Sequence, residues 1–149
     1  MKDEPDIVIF RKDEEMGTSK ILVIDDDPDI RAFVTALLES KQHTVKTAAD
    51  PDEGFNMLEQ EPPDLIIMDV MMGKGAGGFI LARKVRKDPR FDAIPIVMLT
   101  GMREQTGFSF PHDPKHPKFL PIDEFLEKPI DPEVLMDTVE RQLAKTTSS

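Results

Sequence analysis

Ile21-Leu22-Val23-Ile24-Asp25-Asp26-Asp27-Pro28 sets the pattern from which the rest of the chain is read. Four apolar residues make a strand, and the strand stops abruptly in three carboxylates. Asp27 before Pro28 is a helix start, since Asp is a preferred N-cap and Pro is preferred just inside it. Similar strand ends recur downstream. Leu65-Ile66-Ile67-Met68 runs into Asp69, Ile94-Pro95-Ile96-Val97-Met98-Leu99 into Thr100, and Phe125-Leu126-Glu127 into Lys128-Pro129. In an open parallel sheet, ligands bind outside the carboxyl ends of the strands. The pattern therefore gathers carboxylates, a hydroxyl and an ammonium in one place, a set that suits a divalent metal plus a phosphate.

Between the strands the periodicity is helical. Ile30, Phe33, Val34, Leu37 and Leu38 lie on one face of a first helix. Asp50-Pro51, with Glu53 three residues after Asp50, reads as a capping box opening a second helix that carries Phe55 and Leu58. Ile80, Leu81, Lys84 and Val85 indicate a third helix. Asp131-Pro132 opens a last one bearing Val134, Leu135, Val139 and Leu143. Thr44-Val45-Lys46-Thr47 supplies the remaining strand. The 65–68 and 94–99 runs are continuously apolar, as central parallel strands covered on both faces must be. Five strands alternating with helices predict a doubly wound α/β sandwich with right-handed crossovers.

Bulk properties narrow the function. A chain of 149 residues fits one domain and buries roughly 68–70% of its unfolded surface. With 29 acidic and 19 basic residues, its formal charge of −10 opposes nonspecific binding to nucleic acid or anionic membrane. There is no cysteine, which removes disulfide and thiol chemistry and fits a cytoplasmic setting. No apolar run approaches the ~20 residues of a membrane span. Met1-Lys2-Asp3-Glu4-Pro5 lacks the apolar core of a signal peptide. Residues 1–19 read as a charged extension around the apolar patch Ile7–Phe10, residues 20–145 as the folded domain, and 146–149 as a tail.

Four ordered motifs name a family: Leu22 to Ile30 with its Asp25-Asp26-Asp27 cluster, Pro63 to Met72 around Asp69, Pro95 to Thr100, and Phe125-Leu126-Glu127-Lys128-Pro129. Together they closely resemble the receiver domain of two-component response regulators, over about residues 20–145. The resemblance implies a flavodoxin-like sheet of order 2-1-3-4-5, and a phosphoacceptor switch of the chemotaxis-regulator-like, single-domain kind. Asp69 then matches the aspartate that takes a phosphoryl group from a sensor histidine kinase or phosphotransfer protein. Asp25 and Asp26 match the acidic pair that holds Mg²⁺. Met71 matches the position whose backbone carbonyl is a further ligand. Thr100 matches the switching hydroxyl, Lys128 the phosphate-pairing lysine and Phe125 the aromatic switch position. A cis peptide before Pro129 is implied as well. No enzymatic activity is expected beyond self-phosphorylation and autodephosphorylation. Output through a protein partner, not nucleic acid or membrane, is expected.

The chain departs from the family pattern at two places. Gly73 stands where the family usually has proline, and Gly73, Gly75, Gly77 and Gly78 crowd one loop, which predicts a flexible backbone behind Met71. The stretch 101–121 carries Pro111, Pro114, Pro117 and Pro121 where the fourth helix is due, so a Pro-rich loop replaces or shortens that helix. Its aromatic residues Phe108, Phe110 and Phe119 are read as covering the sheet edge or serving a partner. His112 and His116 flank Pro114 there and read as solvated loop histidines.

Two other functions compete. A haloacid-dehalogenase-type phosphatase superficially shares the order Asp25, Asp27, Thr100, Lys128, but Asp29 stands where its motif prefers Thr or Val. A receiver-fold binding module that works without phosphorylation would spare the residues at the strand ends from any chemical constraint. The intact set Asp25, Asp26, Asp69, Thr100 and Lys128 opposes it.

Overall fold

The computed structural model describes residues 19–72, 75–101 and 122–147. The readings of residues 1–18, of Gly73 and of the 102–121 stretch, including its histidines and the replaced helix, lie outside these described residues. The elements in chain order are β1 (Lys20–Ile24), α1 (Pro28–Glu39), β2 (Thr44–Ala48), α2 (Pro51–Gln60), β3 (Leu65–Asp69), α3 (Gly77–Lys87), β4 (Ile96–Thr100), β5 (Glu124–Glu127) and α4 (Pro132–Thr147). Five parallel strands pair in the order β2-β1-β3-β4-β5. This is the doubly wound, flavodoxin-like sheet expected.

Continuous apolar runs make β3 and β4 the buried centre, every residue of both being buried. Side chains alternate across the sheet, so each strand feeds two cores. Leu22, Ile24, Ile66, Met68, Ile96 and Met98 pack with Leu58 of α2 and Leu81, Ala82 and Val85 of α3. Ile21, Val23, Leu65, Ile67, Val97 and Leu99 pack with Val34 and Leu38 of α1 and Leu135, Val139 and Leu143 of α4.

The helix starts follow their caps. Asp27 Oδ1 accepts from the Asp29 amide at 2.8 Å and Asp131 Oδ1 from the Glu133 amide at 2.9 Å. At α2, Asp50 Oδ1 accepts from the Glu53 amide, and Glu53 Oε1 reaches back to the Ala49 amide, both at 2.8 Å. The return bond falls one residue before the position a strict capping box uses. Asp50→Ala is expected to cost about 1 kcal/mol, read as a lowered midpoint in urea with unchanged slope. His43 follows α1 and is buried, and burial pulls its imidazole below the ordinary value.

α3 contains all four residues that indicate it, but only Leu81 and Val85 of them are buried. It starts at Gly77 behind Ala76, which makes no side-chain capping bond. Its buried face is Gly78, Leu81, Ala82 and Val85, and Ile80 is 70% exposed.

Candidate functional site

The parallel register sets the carboxyl ends of β1, β3, β4 and β5 side by side. Ile24 pairs with Met68, Asp69 with Leu99, and Thr100 with Glu127. The residues that follow or end these strands are Asp25, Asp69, Thr100 and Lys128. They converge because four strands stop at one level, although they lie far apart in sequence.

Asp25 is fully buried, Asp69 is 5% exposed and Asp26 is exposed. Carboxylate oxygens of Asp25, Asp26 and Asp69 lie within 4.8 Å of one another. Lys128 Nζ stands 3.2 Å from Asp25 Oδ2 and 3.3 Å from Asp69 Oδ1, bridging the two buried acids. Asp25 is fixed from three other sides. Its Oδ1 accepts from the Asp27 amide, its carbonyl accepts from Arg31 Nη1 at 2.8 Å, and its amide donates to the Ala48 carbonyl. Asp25 Oδ2 sits at ion-pair distance from Lys128 but has no aligned hydrogen-bond donor.

The electrostatics follow from that burial. Burial pushes the Asp69 carboxyl up to about 6, the neighbouring Asp25 charge adds to it, and Lys128 opposes both. Asp25 is also raised, again by burial first, against the Asp27 amide and Lys128. Mutual repulsion among the acids, the effect legible in sequence, is therefore the smaller part, and desolvation the larger. Burial pulls the Lys128 ammonium down, but Asp69 and Asp25 outweigh it and hold it above its ordinary value.

The site has the electron-pair donors for a hard cation. All three clustered donors are carboxylates, two are largely desolvated, and one buried oxygen lacks a hydrogen-bond donor. Oxygen-only sets of this kind match Mg²⁺ and not soft or nitrogen-preferring metals. Met71 is half-buried on the core side shared by α2 and α3.

Two flanking features complete the geometry. Phe125 on β5 is half-buried with its ring edge-on to Phe79 of α3, centroids 6.3 Å apart at 77°. Gly78 donates its amide to the Val70 carbonyl at 2.9 Å, and a Cβ on it would lie 2.0 Å from the Asp69 carbonyl oxygen. Thr100 is buried one residue past Leu99, the register partner of Asp69, and its carbonyl accepts from the Lys128 amide at 2.9 Å. The Lys128–Pro129 peptide is cis, as the resemblance implied. The sequence reading missed Gly78 and Arg31. Arg31 carried a signal in its place on the first turn after the acidic cluster. Gly78 carried none beyond its presence in a glycine-rich run.

The response regulator receiver domain family model matches residues 21–140. The chain belongs to that family. It is a receiver domain of two-component signalling, and receivers are phosphorylation-based switches whose acidic clusters generally bind Mg²⁺. Protein PilH of Pseudomonas aeruginosa is 33% identical over 126 residues, covering 85% of this chain and 98% of PilH. Response regulator Rre1 of Synechocystis is 36% identical over 130 residues, covering 87% of this chain but 53% of Rre1. The DNA-binding dual master transcriptional regulator RpaA of Synechocystis is 34% identical over 127 residues, covering 85% of this chain and 50% of RpaA. The chain thus spans nearly all of one relative and about half of the others. Among solved structures, the chemotaxis response regulator CheY4 of Vibrio cholerae superposes with a TM-score of 0.71 at 31% identity, covering 84% of this chain and 98% of CheY4. A signal receiver domain of a histidine kinase from Syntrophus aciditrophicus gives 0.74 at 27% identity, covering 89% of this chain and 95% of that one. No helix among the described residues is long and apolar enough to cross a membrane.

Proposed function

We propose that this receiver takes a phosphoryl group onto Asp69 from a phosphohistidine donor and signals by changing what it binds. The convergence of Asp25, Asp69 and Lys128 within ion-pair distance carries this reading. Asp69 is the acceptor because it ends the central strand and lies at the mouth of the cluster, while Asp25 is wholly enclosed. One Asp69 oxygen attacks phosphorus, the P–N bond to the donor imidazole breaks, and its electron pair stays on nitrogen, which then takes a proton. Asp25, Asp26 and Asp69, with the Met71 carbonyl, would hold Mg²⁺, which would supply positive charge for the transfer.

The chain's own groups do the rest. Lys128 is already aimed between Asp25 and Asp69, and its compact ammonium pairs with one phosphoryl oxygen. Arg31 and the Asp27 amide hold Asp25 in place and so preorganise the cluster. Thr100 donates its hydroxyl to the phosphoryl group and draws the end of β4 inward. Phe125 shifts against Phe79 in response, which makes the β4–β5 end the two-state element that phosphorylation biases. The domain works in the cytoplasm, with residues 20–145 as the switching body and 1–19 and 146–149 as appendages. Its donor is a sensor histidine kinase or phosphotransfer protein, and its output is a protein.

The test is intact mass after incubation with acetyl phosphate and Mg²⁺. A gain of one phosphoryl mass is expected, lost in Asp69→Asn and with chelator. An unchanged mass with both acetyl phosphate and a phosphohistidine donor would overturn the reading in favour of a module that binds without phosphorylation.

A further inference from the structure

The outer face of α3 stands apart from the rest of an acidic surface. Ile80, Arg83, Lys84 and Lys87 recur at helical spacing and share one face, opposite the buried Gly78, Leu81, Ala82 and Val85. All four are exposed, and Ile80, 70% exposed, is the most open large apolar side chain among the described residues. Three cations beside one apolar side chain are unexpected on a chain with a formal charge of −10.

The nearby carboxylates do not neutralise them. Asp123 is taken by Arg86 at 2.7 Å, and Asp88 and Glu59 are taken by Arg90 at 2.7 and 3.1 Å. Lys84 lies 4.0 Å over the Phe55 ring, a contact that leaves its charge uncompensated. Among the described residues, Arg83 and Lys87 make no ion pair. The first turn of the same helix is pinned to the end of β3 through Gly78 and Val70, and touches β5 through Phe79 and Phe125.

We propose that this face of α3 docks an acidic segment of a partner protein. Carboxylates one helical turn apart on the partner meet Arg83, Lys84 and Lys87, and an apolar side chain covers Ile80. The charges set orientation and encounter rate, while Ile80 supplies the desolvated contact. Charge complementarity selects this partner over a nucleic acid or an anionic membrane. A long polyanion senses the repulsive field of the whole chain, and a phosphate backbone has no use for Ile80. The docking stands independently of phosphoryl transfer to Asp69, so either can fail without the other.

The test uses the full chain, isotopically labelled, titrated with a synthetic peptide in which glutamates repeat at helical spacing around one leucine. Amide shifts are expected to centre on Ile80, Arg83, Lys84 and Lys87 and to weaken as salt is raised. Arg83→Glu combined with Lys87→Glu is expected to weaken binding about tenfold, and Ile80→Ser to weaken it severalfold. Lys41→Glu, in the turn after α1, is expected to leave it unchanged. The proposal is overturned by shifts centred elsewhere or by undiminished binding after charge reversal. It is equally overturned if duplex DNA or phosphatidylglycerol vesicles bind these residues more tightly than the peptide. Self-association abolished by Arg83→Glu would assign the face to a second copy and overturn it too.

Discussion

Asp69→Asn is expected to raise the melting temperature of the metal-free protein at neutral pH, although it removes the proposed phosphoryl acceptor. Asp69 is 5% exposed, and burial, then the Asp25 charge, push its carboxyl up to about 6 despite Lys128. In the unfolded chain it titrates near the ordinary aspartate value. Between those two values the native state binds more protons than the unfolded state, so this group's contribution to stability falls as pH rises. It is fully present below the unfolded value and is lost as pH climbs through about 6. At pH 7 the ionised group costs on the order of 2–3 kcal/mol relative to a neutral one, or about 5–10 °C for a domain of this size. Asn keeps the shape and omits the charge. Melting both proteins in chelator from acid to neutral pH checks this: their curves should coincide near pH 3.5 and separate through the interval up to 6. Added Mg²⁺ should stabilise the parent chain more than the variant, since the variant lacks one carboxylate of the cluster. Parallel curves across the whole pH range would mean that Asp69 carries no desolvation cost.

What the sequence disclosed and what it hid divide along a physical line. Strand ends were legible because apolar runs stop at a polar residue, and the parallel topology then brings those ends together without further information. Asp27, Asp50 and Asp131 were legible as caps because a cap is a local bond to an amide two or three residues away. The start of α3 had no such signal, since no side chain caps it. With its boundary unmarked, the third helix is legible through Ile80, Leu81, Lys84 and Val85, of which Leu81 and Val85 lie on the buried face with Gly78 and Ala82 while Ile80 and Lys84 face outward. The relative size of burial and repulsion at Asp69 was equally hidden, because desolvation depends on everything packed around the group. Gly78 was hidden for a related reason: its constraint is a contact with a carbonyl nine residues earlier, and in sequence it merely joins a glycine-rich loop.

That constraint makes Gly78→Ala the most damaging single methyl addition among these sites. The new Cβ would lie 2.0 Å from the Asp69 carbonyl oxygen and 2.9 Å from both the Asp69 carbonyl carbon and Val70 Cα. All three are backbone atoms of the central strand, so no rotamer change relieves the clash. Either α3 lifts away, breaking the Gly78 to Val70 hydrogen bond, or the end of β3 moves and carries Asp69 with it. The expected loss is about 3 kcal/mol or somewhat more, at the upper end of overpacking costs. If Asp69 is the acceptor as proposed, displacing it by a fraction of an ångström should also slow phosphoryl uptake about tenfold or more. Gly54→Ala is the control. Its Cβ would meet Ile24 Cδ1 at 2.6 Å, the far end of a side chain that can turn aside, and alanine improves the α2 helix. A small loss of stability and near-normal phosphoryl uptake are expected there. If Gly78→Ala instead unfolds and phosphorylates like Gly54→Ala, the junction of α3 with β3 is soft, and the position of Asp69 must be set by Lys128 and the acidic cluster alone.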